Sequence, residues 1–322
     1  MSASEDARWL AAAASLAARG RPLSRPNPSV GAIVVRGGKV VGYGWTQPGG
    51  RPHAEAMALA MAGEAAGGAT LYVTLEPCAH DSQRGPSCAG LVSASSLARV
   101  VIGCDDPDPR TARQGMAAIR EAGITVEIIR SEEAEESLAG YMMLRRHGRP
   151  HVTLKLATSL DGCIALADGA SRWITGEAAR AHTHAMRARA DAILVGGGTL
   201  RADRPRLDVR LAGLEDRSPD RWVLTHGTAP DGWRALPAPE AIGTMADVQY
   251  LFVEGGAQTA AAFLRAGLVD RLLLYRAPIL IGGGLPGIGG IGLTALDEAH
   301  GRWRLDDRRR LGSDTLEVYS AR

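Results

Sequence analysis

Three residues well apart in the chain, His53, Cys78 and Cys88, constrain its folding more than any other feature. One imidazole and two thiols can hold a zinc ion and leave the fourth tetrahedral position open for water. That is the arrangement of a catalytic rather than a structural zinc site. For the three to meet, the segment around His53 must lie against the segment around Cys78. Gly50-Arg-Pro-His53 reads as a loop, and the Ala-, Met- and Leu-rich run from Ala54 to Ala62 reads as a helix with His53 and Glu55 at its start. Residues 70–75 form a short β-rich run, so Glu76-Pro77-Cys78 falls at a strand's carboxyl end. Ligands bind at that edge of open α/β sheets, and both a helix N-terminus and a metal favour a cysteine thiolate.

Glu55 follows His53 by two residues, close enough to exchange protons with a water on the metal without ligating it. This is the His-x-Glu…Pro-Cys…Cys logic of zinc deaminases, in which the glutamate shuttles protons to departing ammonia. The spacing departs from the commonest form. Nine residues separate Cys78 from Cys88, where deaminases of nucleosides and nucleic acids usually have two. Within that insertion His80 and Arg84 are placed to reach a substrate. Arg84 suits a phosphate, which it would grip bidentately, although a solvated loop charge explains it equally well.

The length of 322 residues suggests two domains. A charged fraction of 22% and a net charge of +2 give no tail for a polyanionic partner. The acidic start lacks the marks of a signal peptide, and no apolar run is long enough to span a bilayer. Four cysteines are too few for a disulfide framework and suit a reducing cytoplasm; Cys104 reads as a packed thiol, and Cys163 suggests no role. Arginine replaces lysine almost everywhere: Lys39 and Lys155 are the only lysines, and Asn27 the only asparagine. Lys39 has a plain place beside Gly37-Gly38 in a hairpin. Asn27 and Lys155 stand out.

Residues 4–19 read as an amphipathic helix with Ser4 as N-cap and Gly20 as stop. Residues 30–35 and 39–41 read as a β-hairpin. Helices near 88–95, 111–122 and 131–146 alternate with strands near 99–103 and 124–129, which argues for a mixed sheet between helix layers. Gly148-Arg-Pro150 is a breaker and marks the boundary between domains of residues 1–147 and 148–322. Beyond it, residues 151–157, 191–195, 249–253 and 271–275 read as strands of a second α/β unit. Two of these run into glycines, Gly196-Gly-Gly198 and Gly255-Gly256, which let backbone amides approach a phosphate; tight turns are the plainer explanation. Gly282–Gly284 and Gly289-Gly290 read as loop. His182 and His184, two apart on a predicted helix, diverge and cannot readily share a metal.

The order of Pro26-Asn-Pro-x-Val-Gly31, His53-Ala-Glu55, Thr74-Leu-Glu-Pro-Cys-Ala-His80 and Cys88 resembles the deaminase half of the bifunctional riboflavin-biosynthesis deaminase/reductase family. Lys155-Leu-Ala-Thr-Ser-Leu-Asp-Gly162, Ser171-Arg-Trp-Ile-Thr175 and Val253-Glu-Gly-Gly256 resemble its reductase half. The resemblance implies an α/β chain with an N-terminal cytidine-deaminase-like three-layer domain and a C-terminal dihydrofolate-reductase-like domain. It implies deamination of 2,5-diamino-6-(5-phosphoribosylamino)pyrimidin-4(3H)-one at the ring 2-amino group, then reduction of the ribosyl to a ribityl group with NADPH. It implies one zinc held by His53, Cys78 and Cys88, with Glu55 as proton shuttle and Asn27, His80 and Arg84 near the substrate. In the second half it places Ser171, Arg187, Leu207, Arg210 and Glu254 at the substrate. The cofactor positions are Ala157, Trp173, Thr199, Asp203, Gly256, Ala257, Gln258, Thr259, Ala260, Ala261 and Ala262. Lys155 and Asp203 are the candidate catalytic groups there, with Asp161 in the same entry motif as Lys155. A cytoplasmic homo-oligomer, a dimer, is expected.

The chain departs from the family pattern in places. Nine residues rather than the usual eight lie between the cysteines, Thr46 stands where histidine is common, and residues 211–249 match poorly, which leaves the partner of the cofactor 2′-phosphate unassigned. A nucleic-acid deaminase would need a basic groove and stacking aromatics, against 4% aromatics here. An oxidoreductase with a structural zinc module would need a fourth protein ligand. A simple binding module has no use for Glu55. A deaminase of another base or nucleotide fused to a different reductase is the nearest alternative.

Overall fold

The computed structural model describes residues 3–80, 85–108 and 113–322. The chain divides into two compact units, Met1–Gly148 and Arg149–Arg322. Gly148 closes the last helix of the first unit in a left-handed conformation (φ 67°) that favours glycine.

The first unit runs α1 (Ala3–Ala17), β1 (Gly31–Arg36), β2 (Lys39–Trp45), α2 (Ala54–Ala62), β3 (Thr70–Val73), α3 (Cys88–Ser93), β4 (Arg99–Ile102), α4 (Gln114–Glu121), β5 (Thr125–Ile128), α5 (Glu132–Ser137) and α6 (Ala139–His147). Among the described residues its sheet has the order β2-β1-β3-β4-β5. The hairpin β1–β2 and the pair β1–β3 are antiparallel, and β3, β4 and β5 are parallel. Alternation along the strands sends Ile33, Val35, Tyr72 and Val101 to one face, with Leu10 and Ala13 of α1. Ala32, Val34, Leu71, Val73, Val100 and Ile102 go to the other, with Ala54, Ala58 and Ala62 of α2.

Some element ends differ from the sequence expectation. Ser4 lies inside α1, which already includes Ala3. The helix expected from 111 begins at Gln114, because Arg113 adopts a left-handed φ of 64°; residues 111 and 112 lie outside the described set. The helix expected over 131–146 is two helices broken at Leu138 (φ −104°, ψ 4°). Leu138 is fully buried in the same apolar cluster as Tyr141 and Met142, so the break serves core packing.

The second unit runs β6 (His151–Thr158), β7 (Cys163–Ala165), α7 (Glu177–Arg187), β8 (Ala192–Gly196), α8 (Gly197–Asp203), β9 (Asp220–Leu224), β10 (Arg234–Leu236), β11 (Tyr250–Val253), α9 (Ala257–Arg265), β12 (Arg271–Arg276), β13 (Leu285–Pro286), β14 (Trp303–Leu311) and β15 (Asp314–Ala321). Its large sheet has the order β10-β9-β8-β11-β6-β12-β15-β14, and β7 and β13 form a small separate ribbon. From β10 to β12 all neighbours are parallel, while β15 pairs antiparallel with both β12 and β14. Along β6, Val152, Leu154 and Leu156 join the core that includes Ala260 and Phe263 of α9. Lys155 shares the opposite face with Thr153 and Ala157, and Ala157 packs on the core that includes Ala179 of α7. The glycines after β8 and β11 open helices instead of making tight turns: Gly196 and Gly256 are the N-cap residues of α8 and α9.

Helix α2 lies on the hairpin so closely that β2 must be glycine beneath it. A Cβ on Gly42 would fall 2.2 Å from the Ala58 carbonyl oxygen, and one on Gly44 would fall 2.6 Å from that of Ala54. Gly44→Ala is therefore expected to push back the first turn of α2. The cost should be about 1–3 kcal/mol, the scale of an overpacked core, with zinc content falling alongside. A wild-type melting curve and zinc content in that variant would show that α2 retreats freely.

Candidate active sites

His53 is the N-cap of α2 and holds an extended backbone (φ −73°, ψ 164°), so its ring leaves the helix toward the end of β3. Cys78 follows β3, and Cys88 is the first residue of α3, whose N-cap Ser87 accepts a hydrogen bond from the Gly90 amide. The three donor atoms lie within 4.8 Å of one another. His53 Nδ1 is 3.2 Å from Cys88 Sγ and 3.6 Å from Cys78 Sγ. The Cys88 amide donates to Cys78 Sγ at 3.4 Å, placing the start of α3 against that sulfur.

The electrostatics suit a cation. The hydrogen bond from Cys88, helped by His53, holds the Cys78 thiol down at about 4. The same bond and burial push Cys88 well above its ordinary value. Burial would lower His53, but its hydrogen bond to Cys78 and the charge of Glu55 outweigh that and raise it. Glu55 is 3% exposed, and burial raises its carboxyl. One imidazole, two sulfurs and a buried non-ligating carboxylate match the donor set of an open zinc site.

Asn27 lies beside this cluster. Its Nδ2 is 3.1 Å from His53 Nε2 and 3.2 Å from the Gly50 carbonyl oxygen that it donates to. Gly50 has a φ of 85°, and a Cβ there would sit 2.6 Å from Asn27 Cγ, so this close approach needs glycine. His80 is exposed just after the cysteine. Arg84 lies outside the described residues. Arg51 Nη1 donates to the Pro86 carbonyl oxygen at 3.0 Å, tying the entry of α2 to the inter-cysteine loop. Thr46 Oγ1 is buried and accepts the Val30 amide at 2.9 Å, a structural place.

In the second unit the candidates fall into groups. Glu254, directly after β11, takes Arg187 bidentately, with Nε–Oε1 at 2.6 Å and Nη2–Oε2 at 3.0 Å. Lys155 Nζ stands 4.0 Å from Glu254 Oε2 and 5.8 Å from the Tyr275 ring centroid. Burial lowers Lys155 against the pull of Glu254; burial would raise Glu254, but Arg187 outweighs it and holds the carboxyl down. Residues 207–210 are strapped to the end of α7, where Arg187 donates to the Asp208 carbonyl oxygen (3.0 Å) and the Arg210 amide to His184 Nδ1 (3.3 Å). Leu207 is buried with φ at 54°, a strained value for a leucine. His182 points away from His184, toward the Tyr275 hydroxyl at 2.7 Å.

The second group lines a cavity of about 560 Å³ at the carboxyl ends of β8, β9 and β11, a volume usual for small-molecule sites. Thr199, Gly256, Ala257, Gln258 and Thr259 face it, together with Gly196–Gly198. The sequence left out Ile164, Leu224, Leu285, Pro286 and Gly289, which also line it. Close packing explains two glycines: a Cβ on Gly196 or Gly255 would fall 2.1 or 2.4 Å from Thr259 atoms. Ala260 and Ala261 have no exposed surface, so they support α9 from behind and do not face the cavity. Trp173, Asp203 and Ala157 are not among the lining residues. Trp173 is exposed under the Arg180 guanidinium, and Asp203 pairs with Arg172 at 3.8 Å. Ser171 is half-buried in the loop before them. Asp161, which the family motif marks, accepts Ser159 Oγ and the amides of Ile281 and Gly282 at 2.6, 3.1 and 2.8 Å. It thereby pins the glycine loop that leads into β13. No helix among the described residues is long and apolar enough to cross a membrane.

Residues 3–104 match the cytidine and deoxycytidylate deaminase zinc-binding region, and residues 150–241 and 240–316 match the RibD C-terminal domain. The riboflavin biosynthesis protein RibD of Escherichia coli (strain K12) is 36% identical, over 96% of this chain and 98% of its own length. That of Mycobacterium tuberculosis (strain H37Rv) is 38% identical over 92% of each. Acinetobacter baumannii RibD superposes with a TM-score of 0.88 at 33% identity, covering 99% of both chains. So does a diaminohydroxyphosphoribosylaminopyrimidine deaminase/5-amino-6-(5-phosphoribosylamino)uracil reductase from Thermotoga maritima, at 0.88, 29% identity and 99% of both chains.

Fold and site together define a two-part enzyme, a zinc-binding deaminase followed by a reductase. The chain belongs to the RibD family, the bifunctional deaminase/reductases of riboflavin biosynthesis.

Cys88→Ala should leave the chain without stoichiometric zinc after gel filtration, because two donors do not hold the ion as three do. Metal analysis at the wild-type level would mean that another donor set carries it.

Proposed function

We propose that the first unit removes the 2-amino group of 2,5-diamino-6-(5-phosphoribosylamino)pyrimidin-4(3H)-one by hydrolysis, and that the second reduces the ribosyl group of the product to ribityl with NADPH. The observation that carries the first half is Glu55, a buried carboxyl in the first turn of α2, beside a metal donor set that it does not complete. Zinc held by His53, Cys78 and Cys88 would supply an activated water at neutral pH. Glu55 would carry one proton from that water to a ring nitrogen as oxygen adds to C2, and a second from the added hydroxyl to the amino group, which leaves as ammonia as the carbonyl forms. Asn27 and His80 are assigned to the pyrimidine and its phosphoribosyl group, and Arg84 to the phosphate.

For the second half we assign the cavity at the starts of α8 and α9 to NADPH, which supplies a hydride when bound. Thr199 and the run from Gly256 to Ala262 form its wall and support, with Ala157, Trp173 and Asp203 toward the nicotinamide end. Lys155, Arg187 and Glu254, with Ser171, Leu207 and Arg210, are assigned to the substrate. Lys155 offers a compact ammonium that can donate to the oxygen of the opened ribose. Glu254 favours the charge of that ammonium and holds it in place, while Arg187 fixes the Glu254 carboxylate.

Two variants test this separately, with ammonia release and NADPH oxidation followed in the same preparation. Glu55→Gln should keep its zinc and lose deamination by roughly 10²-fold or more, the scale of a proton-transfer group; near-normal ammonia release would end the assignment. Lys155→Arg should fold and deaminate normally but lose roughly 10-fold or more in reduction, since a broad planar guanidinium replaces a point charge. Unchanged reductase kinetics would make Lys155 a structural residue.

A further inference from the structure

Strands β8 and β9 are parallel neighbours, with Gly196 opposite Leu224. The cavity closes at this end on Gly197 and Leu224. In doubly wound sheets the adenosine ribose of a dinucleotide lies at the end of such a neighbouring strand. An acidic side chain there takes a free 2′-hydroxyl, whereas an arginine takes a 2′-phosphate. The chain leaving β9, Leu224-Thr-His-Gly-Thr228, offers no carboxylate.

It does face a cation. Arg201 is one turn beyond Gly197 on α8, on the same side of the helix. A Cβ on Gly197 would lie 3.3 Å from Arg201 Nη1, 3.6 Å from the Leu224 carbonyl oxygen and 3.9 Å from Thr225 Cβ. The guanidinium thus folds back into the space left by the absent side chain and lies over the strand end. Among the described residues Arg201 makes no hydrogen bond or ion pair, whereas Arg172, Arg187, Arg206 and Arg210 are all engaged with carboxylates or carbonyls. Thr225 Oγ1 accepts the Gly227 amide at 3.1 Å, which leaves its hydroxyl proton to donate outward.

We propose that Arg201, with the Thr225 hydroxyl beside it, receives the 2′-phosphate of the dinucleotide and sets the preference of this chain for NADPH over NADH. The proposal rests on the reading of the cavity as a dinucleotide site. A guanidinium matches a phosphate through two parallel hydrogen bonds, and an unpaired one has no competing partner to give up.

The test is calorimetric titration of the full-length chain with NADPH, NADH, 2′,5′-ADP and 5′-AMP. Arg201→Leu should weaken NADPH and 2′,5′-ADP by roughly 10-fold or more, the range of a charged hydrogen bond, while NADH and 5′-AMP bind as before. Arg201→Lys should recover part of the loss, and Thr225→Ala should show a smaller loss of the same kind. Ammonia release should stay unchanged in all three. Unaltered NADPH affinity in Arg201→Leu, or equal loss of NADPH and NADH, would overturn the proposal while leaving the cavity as a dinucleotide site. Failure of the wild-type chain to bind either dinucleotide would overturn both.

Discussion

The geometry of the deaminase centre depends on how near a helix can come to a sheet. Side chains on β2 would hold α2 away, and His53 and Glu55 travel with the first turn of that helix. With glycines at 42 and 44, the helix backbone comes almost into contact with the strand. The N-terminus of α2 then sits level with the carboxyl end of β3, where Cys78 emerges, and α3 starts its first turn on Cys88. Three donors from three elements meet because backbone packing sets their heights. Burying Glu55 follows from the same closeness: the residue keeps only 3% of its surface exposed, which turns its carboxyl toward what enters the site.

The second unit uses glycine differently. Gly196 and Gly255 leave room for Thr259, so β8, β11 and the start of α9 lock together and the two helix N-termini open onto one cavity. The ionic group of Lys155, Arg187 and Glu254 stands on the α7 face of the sheet. A buried carboxylate between two cations is stable only while both remain. The arrangement therefore fixes the ammonium in position more than it strengthens the fold.

Much of this was legible in the chain because chemistry and spacing coincide locally. His53-Ala-Glu55 before an alanine-rich helix, Pro77-Cys78 after a short strand, the Gly37-Gly38 hairpin and the Gly148 break each carry their own signal within a few residues. What escaped depends on tertiary partners. The break at Leu138 follows from a core that the local helical pattern cannot reveal. Strand β14 lacks a clean hydrophobic alternation, since most of it is exposed. Ala260 and Ala261 belong to a motif read as a cofactor contact, yet helical geometry turns them inward. The cavity wall at Leu285, Pro286 and Gly289 sat within glycines that looked like loop, and the reach of Arg201 toward Gly197 is a matter of folding back one turn.

That wall has a consequence of its own. It hangs on a ribbon of β7 and β13, three and two residues long, and on the exposed carboxylate of Asp161 holding two amides of the glycine loop. So few backbone bonds give it a local opening free energy well below that of the sheet behind it. Any molecule seated between this wall and the helix starts must add its own binding free energy to the ribbon's stability. Occupancy of the cavity and order of the ribbon are therefore a single linked equilibrium, in which a weaker hinge at Asp161 would read out as a weaker ligand.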